Sequence, residues 1–130
     1  MQPYTIEEHT ELGYLVLYFP SDSSWLGAAR IVAEELTMFL NVVENPISLL
    51  IDITDSRPTI ALSTVDQALR SYSKLSNHKN LKQILLVTDD YFIRQAAQTI
   101  RTEFASLHIF RSRQMALNYL AVQPSSGIVV

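Results

Sequence analysis

The 130-residue chain contains no cysteine, which removes thiol catalysis, thiolate-ligated zinc and disulfide bridges together and fits a reducing cytoplasm. Its three glycines, Gly13, Gly27 and Gly127, are too dispersed for a glycine-rich loop to cradle a phosphate, and no G-x-S-x-G, Walker or G-x-G-x-x-G sequence occurs. Neither sign of charge forms a run. Thirteen acids against ten bases leave a formal charge of -3, without the electrostatic footprint of a nucleic-acid binder. No apolar stretch approaches the roughly eighteen residues of a membrane span, and MQPYTIEEHTEL lacks the basic flank and apolar core of a signal peptide. The expectation is a soluble cytoplasmic protein with no cofactor. As one domain it is long enough to bury roughly two thirds of its unfolded surface.

What is present is a regular alternation of strand and helix patterns. Tyr4 to Glu8 and Gly13 to Phe19 are rich in aromatic and β-branched residues and read as a hairpin, with a polar edge strand and a second strand buried on both faces. Trp25, Ala29, Val32, Leu36, Phe39 or Leu40, and Val43 recur at helical spacing behind the cap candidates Ser21 and Asp22. Ile47 to Thr54 and Leu81 to Thr88 are short apolar runs typical of central parallel strands. Between them, Val65, Leu69, Tyr72 and Leu75 form a helical stripe, and Ser63 with Asp66 resembles a capping box at its start. Ile93, Ala96, Ala97, Ile100 and Phe104 form another stripe, followed by a strand from Leu107 to Phe110 and a closing helix capped by Ser112. The predicted fold is one α/β domain over residues 1–123 with a tail at 124–130. It has a mixed, mostly parallel five-stranded sheet and four helices in the order ββαβαβαβα. Right-handed crossovers make strands two to five parallel and leave the first as an antiparallel edge.

In such a sheet the carboxyl ends of the parallel strands share one rim, where ligands of α/β proteins bind. That rim collects Asp22, Asp55, Arg57, Asp89, Asp90, Arg111 and Arg113, a set able to hold an anion or a cation. The same residues also stand where helices start, and capping alone accounts for Asp, Ser and Thr there. His9, His78 and His108 fall in a hairpin, a polar loop and a strand start, which predicts lone histidines rather than metal ligands. Leu26, Met38 and Phe39 give the first helix a second apolar face, which predicts a homodimer or a protein partner.

Two resemblances bear on function. QILLVTDDYFIRQAAQTI followed by SLHIFRSRQMALNYL resembles the opening of a response-regulator receiver domain. Only one strand follows Asp89 and Asp90, so the family's phosphoacceptor strand has no counterpart and the likeness is one of α/β grammar. The whole chain, with LLIDIT leading through an irregular linker into a helix, resembles the STAS domain family, the fold of anti-sigma factor antagonists. In that family a strand of the form V-I-L-D-L-S precedes a D-S-S-G motif whose serine is phosphorylated by a partner kinase. Asp52 falls on the strand aspartate, while the serine position falls near Ala61 to Ser63, where this chain reads IALST. The resemblance implies a non-enzymatic regulatory or scaffolding module that binds a protein through the linker after Asp55 and the helix from Thr64 to Asn77. Ser63, Ser56 and Thr64 are its candidate phosphoacceptors. Two alternatives are a carrier of a small apolar ligand or lipid between Trp25, Phe39 and the sheet, on the plan of CRAL-TRIO domains, and a Mg-dependent enzyme using the rim acids.

Overall fold

The computed structural model describes residues 4–20, 25–55 and 62–122, with the backbone alone for 25–28 and 62–64. The strands are β1 (Thr5–His9), β2 (Tyr14–Tyr18), β3 (Ile47–Asp52), β4 (Leu81–Val87) and β5 (Leu107–Phe110). The helices are α1 (Trp25–Val42), α2 (Leu62–Leu75), α3 (Tyr91–Thr99) and α4 (Arg113–Val122). The spatial order of the strands equals their chain order, β1-β2-β3-β4-β5. β1 runs antiparallel to β2, and every later neighbour is parallel. The α/β plan predicted above is therefore the observed one.

The hairpin turns through a 3₁₀ segment, Thr10–Leu12, and closes at Gly13, whose φ of 86° lies in the left-handed region that a side chain disfavours. Because each crossover advances one strand in the same direction, right-handedness puts α1, α2 and α3 on one face of the sheet. Their inner stripes, including Val32 and Leu36, Leu69 and Tyr72, and Ile93 and Ala97, join Leu17, Ile51, Ile84 and Leu86 in the larger of two cores. Phe39 packs against this core, so it belongs to the edge of the core and not to a second apolar face of α1. Asn80 donates its side-chain amide to the Leu40 carbonyl at 2.8 Å, and His78 Nε2 meets Asn41 Oδ1 at 2.7 Å. These two contacts fasten the end of α1 to the loop after α2.

The opposite face carries Val16, Leu50, Leu85 and Val87, all buried, and among the described residues only α4 covers it, through Ala116, Leu117, Tyr119 and Leu120. All six residues of β3 are buried, which is why its run, Ser48 apart, is apolar without alternation until Asp52. The pair Gln83 and Ser48, joined by a 2.9 Å side-chain hydrogen bond, satisfies two further polar groups buried on this face.

Candidate functional site

Asp52 ends a buried strand and is itself only 3 % exposed. A carboxylate so placed needs donors, because an unpaired buried charge costs several kcal/mol. It has three. Oδ1 accepts from the Thr54 backbone N–H at 3.0 Å and from the Thr54 hydroxyl at 2.5 Å, while Oδ2 accepts from Arg113 Nε at 2.7 Å. The register explains the last contact. Asp52 stands opposite Tyr18 on β2 and points to the α4 side of the sheet, and Arg113 is the first residue of α4.

From there the Arg113 guanidinium reaches across three strands. It lies 5.5 Å from the Tyr18 ring centre and donates Nη1–H to Glu7 on β1, at 3.2 Å to Oε2 and 3.4 Å to Oε1. Partial burial works against its charge, but the hydrogen bonds and charges of Asp52 and then Glu7 outweigh this and hold its pKa above the usual arginine value. Tyr18 in turn donates its hydroxyl to Asp55 Oδ2 at 2.5 Å, and that bond, followed by burial, raises the phenol above its ordinary pKa. Glu7, Tyr18, Asp52, Thr54, Asp55 and Arg113 thus form one latch that pins the start of α4 across β1, β2 and β3.

The rim expected from the sequence is divided. Arg113 and Asp55 meet at this corner through Tyr18 and Asp52. Asp90 serves α3 as its N-cap, accepting from Ile93 N–H at 3.0 Å, and its own N–H donates to the Thr88 hydroxyl at 3.1 Å. Asp89 and Arg111 are exposed. Asp22, Ser56 and Arg57 lie outside the described residues, as do the side chains of Ser63 and Thr64. Helix α2 already includes Ser63, and Asp66 binds Arg70 at 2.9 Å, so Asp66 is committed along the helix to the residue four further on.

The three histidines stand in separate surroundings: His9 stacks on Tyr14, His78 meets Asn41, and His108 meets Tyr119. Among the described residues no group of three or more His, Cys, Asp or Glu is arranged to hold a metal ion, and no helix is long and apolar enough to cross a membrane. Phe39 borders a hollow of about 330 Å³ with Val43 and Ile47 at the far end of α1. The side chain of Trp25, the other wall expected for an apolar-ligand pocket, lies outside the described residues.

Sequence reasoning found Arg113 but missed its partners Asp52 and Glu7 and the bridging Tyr18. One signal was present: an aspartate closing an apolar strand run implies a buried charge that must be paired. No family model, curated protein or solved structure matches the chain.

Proposed function

We propose that this chain is a non-enzymatic protein-interaction module of STAS-like type, regulatory or scaffolding in role, acting in the cytoplasm as a homodimer. One observation carries the reading: the charged corner is closed on itself, whereas the helix layer is open. On the corner, the carboxylates of Asp52, Glu7 and Asp55 are engaged by Thr54, Arg113 and Tyr18, an arrangement that favours holding elements together over Mg-assisted chemistry. On the layer, Ile31, Met38 and Val42 follow one another at helical spacing along α1, with 64 %, 72 % and 76 % of their surfaces exposed. An apolar stripe opposite the buried stripe of the same helix is the form a self-association surface takes. The element order and the passage from LLIDIT into α2 support the STAS-like type, with Ser63 and Thr64 in the first turn of α2, where phosphate would meet the helix N-terminus.

Sedimentation tests the reading. The wild-type chain should sediment as a dimer at micromolar concentration, and Met38→Glu should give a monomer with unchanged far-UV circular dichroism. A wild-type monomer at high concentration would remove the homodimer. Protein from the native cell with no phosphate on Ser56, Ser63 or Thr64 would remove the kinase-controlled switch.

A further inference from the structure

A second surface lies on the helix layer, about a quarter turn around α1 from the apolar stripe. Helices α1 and α2 run side by side in the same direction because each returns from a parallel strand to the start of the next, and their outer shoulders leave an open groove of about 640 Å³. Its floor is largely carbon: Ala33, the buried Leu75, and Thr37, whose hydroxyl is turned back onto the Ala33 carbonyl at 2.8 Å. Its walls carry Arg30 on one side and Arg70 and Lys74 on the other, with Glu34 the one acid among the lining residues.

The positive charge is segregated along the sequence as well. Residues 67–88 hold four of the ten bases and none of the thirteen acids, in a chain whose formal charge is -3. Arg70 is engaged by Asp66 and Glu103 and acts as a fixed wall. Lys74 has no ion pair among the described residues, and Arg30 has only a 3.6 Å contact with Glu34 in which both side chains are well exposed.

We propose that this groove receives an acidic amphipathic helix of a partner protein, laid along α1 and α2 as a third helix of the outer layer. The inference rests on the interaction-module reading and names its heterologous partner. Residues from Gln67 to Leu75 span about 12 Å of α2, a little over two turns, and Asn77 and His78 continue the wall in the loop beyond it, which suits the ridge of a helix seated between two others. A peptide in extended form gains its affinity from main-chain hydrogen bonds, and two helices whose backbones are internally bonded offer none. A single-stranded nucleic acid gains its affinity from aromatic platforms, and none of the lining residues is Phe, Tyr or Trp. An acidic helix matches both properties of the groove: apolar side chains meet Ala33 and Leu75, and flanking carboxylates meet Arg30 and Lys74.

The test uses the full chain and two synthetic peptides of about twenty residues with the same leucine stripe at helical spacing, one flanked by glutamate and one by lysine. Fluorescence anisotropy at low salt should show the glutamate peptide binding about tenfold or more tightly than the lysine peptide, and less tightly as salt rises. Amide resonances of Ala33, Thr37, Ser71 and Leu75 should shift with it. Arg30→Glu with Lys74→Glu should reverse the preference, Arg30→Gln with Lys74→Gln should reduce it, and Met38→Glu should leave it unchanged. Equal affinity for both peptides, resonance shifts confined to other elements, or competition by inorganic phosphate at millimolar concentration would overturn the proposal. So would loss of dimer in the Arg30, Lys74 variants, which would assign the groove to a second copy of the chain. A dimer sensitive to Met38→Glu with neither peptide bound defeats the groove assignment alone, and a monomer that binds neither defeats both readings.

Discussion

Removing Arg113 tests whether the latch over β1, β2 and β3 contributes to stability. Truncating one member of a buried ion pair costs about 3–5 kcal/mol, mostly because the survivor stays charged in a place water cannot reach. Here Asp52 is the buried partner, while the Arg113 side chain is 32 % exposed, so water enters the space that truncation opens. The two hydrogen bonds from Thr54 to Asp52 also remain. Arg113→Met should therefore cost about 2 kcal/mol, below the range for a fully buried pair. Asp52→Asn keeps an acceptor for Thr54 but turns an amide toward the guanidinium, at a similar cost of about 2 kcal/mol. The double variant leaves no buried charge and should cost little more than either single one, a coupling of about 2 kcal/mol. Urea unfolding with unchanged m-values reads these numbers, and each single variant should lower Tm by roughly 6–8 °C for a chain of this length. Hydrogen exchange should quicken from Ala116 to Leu120, since Ala116 is the residue of α4 that is fully buried. Additive losses, with coupling below about 0.5 kcal/mol, would refute the reasoning and reduce the latch to a solvated contact.

Three further outcomes follow from single groups. The Tyr72 hydroxyl is buried without a hydrogen-bond partner among the described residues, so Tyr72→Phe should leave stability unchanged or raise it by about 0.5–1 kcal/mol, and a loss in urea unfolding would reveal a partner for it. Burial, and secondarily the charge of Arg101, lowers the pKa of His108 below its ordinary 6.5. The folded state thus prefers the neutral ring. Its contribution is full above pH 6.5 and lost as pH falls through the depressed value, a slope that His108→Asn should flatten in pH-dependent unfolding. The Tyr4 phenol donates to Glu35 and is pushed up to about 12 by that bond, by burial and by the Glu35 charge. Its contribution is intact below pH 10 and lost between 10 and 12. Glu35→Gln should return the tyrosinate absorbance of Tyr4 toward 10, and an unshifted titration would count against the pair.

The amino-acid order alone sufficed for the elements and their sequence in the sheet. YLVLY and ISLLID, Ser48 and Asp52 apart, are apolar without alternation because both faces of their strands are covered, and the stripe Val65, Leu69, Tyr72 and Leu75 repeats at the helical period because one side of α2 is. Such periodicities are local properties, and with short right-handed crossovers they leave few arrangements besides β1-β2-β3-β4-β5. The grouping of charges was not local. Asp52 and Arg113 are 61 residues apart and Arg113 and Glu7 are 106 apart. Nothing in either neighbourhood selects the other, and a rim drawn from sequence joins Asp90, a helix cap, with Arg113, a latch. The pairing depends on where α4 lies. Among the described residues no strand follows α4, so crossover handedness does not choose its side of the sheet. The choice falls to Val16, Leu50, Leu85 and Val87, which would otherwise face water on the side that α1, α2 and α3 leave open. Only when tertiary burial has drawn α4 onto that face does Arg113 stand within hydrogen-bond reach of Asp52.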